Sequence, residues 1–424
     1  MKIKKISEQL IRFSMIAYVL WLMLPAVQTT GRAMTGAACV GLFGLGVMLD
    51  VETLKKQWLS LLLRAGCAAV MPLFLRRFMD RGGEAAAGFY VQNAMLWFPL
   101  VFAGHVRTLK NKELWKSTQW VLPGVIIITL LTTTGWLIEG LSHSGNTGIY
   151  SRMLGSAEAM YAAQLKTLML RNIGGYDFIY AMVVSLPLVC IAISHSKGGR
   201  RWAFIGLIIL QLAAIFLSQY TYALLYTGLI LGVEIIALII RKLSRNRVKT
   251  GVSLACGLIP FTLLALFAKP LLSFAIDLLK NLGFYSFATS LDFLYQFLQS
   301  GSAPAVSRLP YYLTALEGFR QSPLIGTLAG GEQLLSYHSD VLDLLSGAGV
   351  AGVLIVGLML WLMGRGSLRG LRQNPDRAHL IVMYAAVFLI AALNTVVYSR
   401  EILVVALLGT LFVLEAQPLH GASA

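Results

Sequence analysis

Two residues in the second half of this chain have the type and setting to act on an anionic substrate. His338 lies in Ser336-Tyr337-His338-Ser339-Asp340-Val341-Leu342-Asp343, at the end of the longest polar segment in an otherwise apolar chain. Ser336 suits a helix N-cap, which would put His338 in a first helical turn with Leu342, Leu345 and Gly349 on one face. The positive end of a helix dipole disfavours an imidazolium and attracts anions. A neutral imidazole beside an anion suits general-base work or phosphate orientation; the plainer alternative is a histidine resting at a membrane interface. Upstream, Ser307-Arg308-Leu309-Pro310-Tyr311-Tyr312-Leu313-Thr314-Ala315-Leu316-Glu317-Gly318-Phe319 reads as a short helix. Pro310 fits its first turn, and Arg308, Tyr311, Tyr312, Ala315 and Phe319 share a face. Gln321-Ser322-Pro323 ends it. An arginine there offers five donors in a fixed fork that matches phosphate, or else meets lipid headgroups.

The rest of the chain must hold these groups in place. Of 424 residues, 57% are hydrophobic and 13% charged, where soluble proteins carry about 25% charged residues. This predicts an all-α polytopic membrane protein, one integral membrane domain over 1–424. The net charge of +16 does not imply nucleic acid, because Lys and Arg fall in short clusters between apolar runs. The four cysteines (Cys39, Cys67, Cys190, Cys256) sit inside apolar runs without metal-ligand spacing and read as packing residues. Met1-Lys2-Ile3-Lys4-Lys5 reads as the flank of an uncleaved first helix.

At roughly 20 apolar residues per crossing, the sequence predicts about 12 transmembrane helices, at 10–29, 33–50, 57–76, 88–106, 118–138, 178–195, 202–218, 221–240, 251–274, 346–363, 378–395 and 400–416. With the N-terminus inside, one side collects Lys2, Lys4, Lys5 and Arg12, then Lys55, Lys56, Arg107, Lys110, Lys112 and Lys116. Lys197, Arg200, Arg201, Arg241, Lys242, Arg245, Arg247, Lys249, Arg365, Arg369, Arg372 and Arg377 follow, giving 22 of 35 basic residues. That bias predicts both termini inside; Arg76-Arg77 with Arg81 is the exception. Two segments, 139–177 and 275–345, then become outer loops. They are too rich in apolar and aromatic residues to be disordered and are expected to pack as short helices over the outer mouth.

Other groups read more plainly. Asp340 and Asp343 are too close to form an opposed glycosidase-like pair; Asp340 either orients His338 or supplies helix N-terminal charge. Glu234 and Arg64, charges inside spans, read as snorkelling or mutually paired. Gln92, Asn93 and His105 read as packing or boundary residues. Gly347, Gly349 and Gly352 read as helix-packing contacts.

The order Arg-x-x-Tyr, then Ser322-Pro323-Leu324-Ile325-Gly326, then His338-Ser339-x-x-Leu342 with Gly349 resembles the signature region of the O-antigen ligase and Wzy-type polymerase superfamily. The resemblance covers about 308–352, and the span plan with its large outer loop between the ninth and tenth spans extends it. It implies a GT-C-like, metal-independent, inverting glycosyltransferase with no cofactor. Such an enzyme takes glycan from an undecaprenyl-pyrophosphate donor on the outer face of the bacterial cytoplasmic membrane. By that resemblance His338 matches the essential histidine and Arg308 the arginine that holds pyrophosphate. The family's further arginine near a mid-chain outer turn is missing here, where the sequence reads Leu217-Ser218-Gln219-Tyr220-Thr221-Tyr222. Arg152, Arg171 and Arg400 are the candidates to replace it. Asn172-Ile173-Gly174-Gly175-Tyr176-Asp177 resembles a segment of capsular-polysaccharide polymerases and could bind sugar through Tyr176 and Asp177; alternatively it is a glycine turn with an interfacial tyrosine. Within that superfamily the absent arginine and the Gly-Gly-Tyr-Asp segment favour a repeat-unit polymerase. A ligase delivering glycan to lipid A-core or another acceptor comes second, and a non-catalytic transporter of lipid-linked glycan third. The expected partners are lipid-linked oligosaccharide, membrane lipid and a chain-length regulator, with no nucleic acid.

Overall fold

The computed structural model describes residues 2–29, 32–75, 90–91, 93–109, 120–144, 162–243, 268–300, 308–327, 334–373, 376–395 and 399–410. The expectations for Arg152, Gln92, Cys256, Arg76-Arg77 with Arg81 and most of the span at 251–274 lie outside these residues. The described residues are helical and contain no strand. In chain order the helices are α1 (Lys2–Met23), α2 (Pro25–Gln28), α3 (Arg32–Leu49), α4 (Val51–Leu75), α5 (Phe98–Leu109), α6 (Val121–Ser144), α7 (Ala162–Leu170) and α8 (Tyr176–His195). They continue with α9 (Gly198–Ser218), α10 (Thr221–Leu243), α11 (Ala268–Asn281), α12 (Tyr285–Ser300), α13 (Leu309–Gln321), α14 (Asp340–Gln373), α15 (Arg377–Leu393) and α16 (Arg400–Val404), which runs into a π-helical turn at Val405–Gly409. Six helices are long and apolar enough to cross a membrane, and three shorter apolar ones (Met34–Leu49, Thr221–Ile236, Arg377–Leu393) accompany them.

α8 is the axis of the bundle. Every residue from Phe178 to Pro187 is buried, with α9, α10, α15 and α16 packed around it. An all-round apolar helix belongs in such a position. Its first turn therefore delivers Tyr176 and Asp177 to one fixed place at the end of the bundle.

Hydrophobic burial does little to join helices already in lipid, so close backbone approach and polar contacts must do it. α1 and α3 show both. Ser7 and Ser14 donate to the carbonyls of Gly46 and Cys39, each at 2.6 Å, and a Cβ on Gly46 would come within 2.7 Å of Ile11. Between α8 and α9, Gln211 donates to Ser185 at 2.8 Å. Cys39 and Cys67 are buried free thiols, as packing residues should be.

The two ends of the bundle differ in chemistry. One end gathers the start of α8, the α9–α10 turn, the start of α13 and the end of α15. At the other, His195 meets Asp376 at 2.7 Å and Arg200 stacks on Trp120. Deeper on that side, Glu234 of α10 contacts His379 of α15 at 2.5 Å, both about 5% exposed. Glu234 is thus neither snorkelling nor paired with Arg64: α10 and α15 are direct neighbours, and a histidine across that interface takes the carboxylate. His105 packs edge-on against Phe43.

α14 is not one continuous helix. It breaks at Gly349 (φ 63°, ψ −166°), and the segment after α13 fits into the break. The N–H groups of Val350 and Ala351 donate to the carbonyls of Pro323 (2.9 Å) and Leu324 (3.0 Å), and Thr327 donates to the Ser346 carbonyl at 3.2 Å. Buried backbone groups freed by a helix break need partners from elsewhere in the protein; the Ser322–Gly326 element supplies them. Gly349 is therefore a break rather than only the packing contact its sequence suggests. A Cβ on it would lie 2.4 Å from the Leu324 carbonyl carbon, and one on Gly326 (φ 75°) 2.2 Å from Gly347.

Candidate functional site at the bundle mouth

α13 starts where its sequence predicts, with Arg308 as the residue before the helix and Pro310 in its first turn. Its inner side is small: Ala315 is fully buried, and a Cβ on Gly318 would strike Ser346 at 2.1 Å. That close approach seats α13 on α14 and turns its first residues toward the end of α15.

α15 ends with carbonyl groups that lack partners within the helix. Tyr312 donates to the Leu393 carbonyl at 2.8 Å, and Ser339 to Ala392 at 2.6 Å. The Nη1 of Arg308 donates to the Asn394 side-chain oxygen and, at 3.4 Å, to the Leu393 carbonyl. A guanidinium at a helix C-terminus also meets the negative end of its dipole. Asn394, 3% exposed, is the hub of the arrangement. Its Oδ1 also accepts from the Tyr176 hydroxyl at 3.2 Å, and the Tyr176 oxygen in turn accepts from the Tyr180 hydroxyl at 3.1 Å.

Arg308 lies over the ring of Tyr222, 5.2 Å from its centroid. Beneath it Tyr176 packs on Tyr180 (4.6 Å) and Tyr220 (4.9 Å), and Tyr226 lies against Tyr180 and Tyr222. Cation–π contact and the tyrosine hydroxyls give the cation a polarisable, hydrogen-bonding floor. Burial raises the phenol pKa of Tyr312 and of Tyr220, so both remain neutral, Tyr312 with its proton available to the Leu393 carbonyl.

His338 faces the same helix from the other side. Its ring meets Tyr311 edge-on at 5.0 Å. It precedes α14 instead of sitting in its first turn. Ser336 Oγ accepts from the N–H of His338 (3.1 Å) and of Ser339 (3.0 Å), and Ser336 itself donates to Asp343 at 2.7 Å. Ser339 takes the capping role, accepting from Leu342 N at 3.1 Å. The reason is Tyr337, whose φ of 56° turns the chain before the helix begins. Asp343 thus serves to fix the turn carrying His338.

The structure joins Arg308, Tyr311, Tyr312, Tyr176 and His338 through the first turn of α13 and the end of α15. Asp177 lies beside Tyr176 and close enough to Tyr220 to influence its ionisation. Arg171 is exposed in the turn just after α7 and, among the described residues, forms no hydrogen bond, ion pair or ring contact with this cluster. Arg400 opens α16 on the same end of the bundle. Three contributors were missed from sequence: Asn394, the Tyr180/Tyr222/Tyr226 group and Asp343. Tyr176 with Tyr180 and Tyr222 with Tyr226 are spaced i, i+4, a signal that could have found them. Among the described residues no group of three or more His, Cys, Asp or Glu is placed to hold a metal ion.

Replacing Asn394 by Leu should cost about 1.5–3 kcal/mol, the range for a hydrogen bond to a charged group. Asn394→Asp, which keeps the acceptor, should cost less. Thermal unfolding in detergent would show it, and a wild-type midpoint for Asn394→Leu would remove Asn394 from its role as hub.

No protein-family model matches the chain, and no curated protein matches it.

Proposed function

We propose that this chain is a membrane glycosyltransferase that polymerises undecaprenyl-pyrophosphate-linked oligosaccharide repeat units at the outer face of the bacterial cytoplasmic membrane. On this reading it is a GT-C-like bundle of about twelve spans with both termini inside. The observation that carries the reading is the first turn of α13, which links a cation and an imidazole at one bundle mouth: Arg308 over Tyr222, and Tyr311 against His338. The resemblance over 308–352 supports it independently of the geometry. The Gly-Gly-Tyr-Asp segment, through which the chain resembles capsular polymerases, delivers Tyr176 to the same cluster and favours polymerisation over ligation.

In the proposed reaction the bond between the donor sugar's anomeric carbon and the pyrophosphate oxygen breaks. The acceptor hydroxyl oxygen bonds to that carbon from the opposite face, and undecaprenyl pyrophosphate leaves. Negative charge grows on the leaving pyrophosphate, where Arg308 stabilises it. His338 accepts the hydroxyl proton, or holds the pyrophosphate while another base takes that proton. Tyr311, 52% exposed, offers a ring face to a sugar. The lipid-linked donor reaches the mouth laterally through the bilayer.

The test is the purified protein in liposomes with its lipid-linked repeat unit. A ladder of lengthening products is expected. A single transfer seen only when a lipid acceptor is added would make the chain a ligase, and intact donor under both conditions would make it a carrier without chemistry.

A further inference from the structure

The end of the bundle opposite the candidate site carries a cation cluster that the proposed reaction does not use. Lys197, Arg200 and Arg201 are all exposed around the start of α9. None of the three meets a carboxylate among the described residues; Asp376, an acidic group at this end, is buried and held by His195 at 2.7 Å. Arg200 lies over the ring of Trp120, 5.0 Å from its centroid, and this contact joins the start of α9 to the start of α6. The first turn of α9 has no side-chain cap, and Gly198 and Gly199 leave open space beside it. Three cations gathered at a helix end whose dipole is also positive attract an anion.

The surface next to the cations says which anion. Trp120, Ile127, Leu131 and Ile138 are 50%, 38%, 55% and 52% exposed. They fall at i, i+7, i+11 and i+18, which is one face of a helix. A single apolar stripe therefore runs along α6 from the ring on which Arg200 rests. Trp120 stands at the junction of charge and stripe, where an amphipathic ring suits the headgroup level of a bilayer. A soluble anion would use the cations alone. An amphiphile with an anionic head and an apolar chain matches both, and arginine forks fit the oxygens of a phosphate head.

We infer that this α6–α9 end is a binding site for an acidic phospholipid. Lys197, Arg200 and Arg201 take its phosphate, and Ile127, Leu131 and Ile138 take an acyl chain. Basic residues near a membrane surface each add to the attraction for acidic lipid, and here the Arg200–Trp120 contact fixes one of them above the apolar stripe. The inference rests on neither the transferase reading nor the orientation of the chain.

Purified protein in neutral detergent is titrated with phosphatidylglycerol and, separately, with phosphatidylcholine of the same acyl chains, and bound lipid is counted by native mass spectrometry. Wild type should hold phosphatidylglycerol about 10- to 30-fold more tightly than phosphatidylcholine. Arg200→Gln/Arg201→Gln should lose that preference. Lys4→Gln/Lys5→Gln, an equal charge change on the exposed start of α1, should keep it. Trp120→Leu should weaken phosphatidylglycerol binding about 2- to 5-fold by removing the ring under Arg200. Equal wild-type affinity for the two lipids overturns the inference. Equal losses in the two double variants also overturn it, since net charge alone would then explain the effect. Glycerophosphoglycerol, the same headgroup without chains, should compete poorly; competition at equal concentration would make this a soluble-anion site and contradict the lipid assignment. Should Arg200→Gln/Arg201→Gln not fold, the wild-type comparison and Trp120→Leu decide, and unchanged phosphatidylglycerol affinity in Trp120→Leu contradicts the assignment.

Discussion

Replacing His338 by alanine is expected to lower glycosyl transfer by about 10²- to 10⁴-fold, the usual contribution of a positioned acid–base group. The protein should remain folded. The His338 ring packs edge-on against Tyr311 at the mouth, while the turn that carries it is held by backbone and serine contacts that the substitution leaves in place. Donor binding should change little if the imidazole takes the acceptor proton. It should weaken together with turnover if the imidazole holds pyrophosphate. Measuring kcat and donor affinity separately therefore distinguishes the two roles. Arg308→Gln is a less clean probe, because Arg308 also caps α15, so stability and activity should fall together. Unchanged transfer by a folded His338→Ala protein would take His338 out of the chemistry.

Gly349→Ala, like Gly326→Ala on the facing segment, should be among the most damaging single-methyl changes in the described part of the chain. The Gly349 φ of 63° with ψ of −166° is a region essentially restricted to glycine and costs an L-residue about 1–3 kcal/mol. The new Cβ would also meet the Leu324 carbonyl and the Ile325 nitrogen at 2.4–2.6 Å. Those atoms are backbone and cannot swing aside, and the neighbouring Leu324 carbonyl holds the Ala351 N–H. Adding an overpacking penalty of about 1–3 kcal/mol gives a loss on the order of 3 kcal/mol, readable as a lower unfolding midpoint in detergent. Gly41→Ala, with nothing within 4 Å of its Cβ, should be neutral or slightly stabilising. Equal midpoints for Gly349→Ala and Gly41→Ala would mean that α14 does not depend on the break at Gly349.

Local signals in the sequence are the ones that correspond to the structure. Arg308-Leu309-Pro310 marks the start of α13, Gln321-Ser322-Pro323 its end, and apolar runs mark α8, α9 and α14. These depend on backbone sterics and periodicity within a few residues. What was not legible depends on partners far apart in the chain. Arg308 meets Asn394 across 86 residues, and the only trace of Asn394 is one polar residue closing an apolar run. Gly349 looks like any small residue in a membrane helix until Pro323 and Leu324 are seen to occupy the break. The turn at Tyr337 moved the helix start from Ser336 to Ser339 because a left-handed residue other than glycine is seldom signalled by its type. Glu234 could be read as a membrane-buried charge, but its partner His379 lies on a different helix and carries no local sign of the pairing.

The most direct test of the account follows the lipid product. Purified protein in liposomes would be given labelled lipid-linked repeat units, and release of undecaprenyl pyrophosphate would be counted against glycosidic bonds formed. The account predicts one released for each bond made by wild type, with both lost together in His338→Ala. Repeat units that stay attached to their lipid, whether bound or moved across the bilayer, would contradict it.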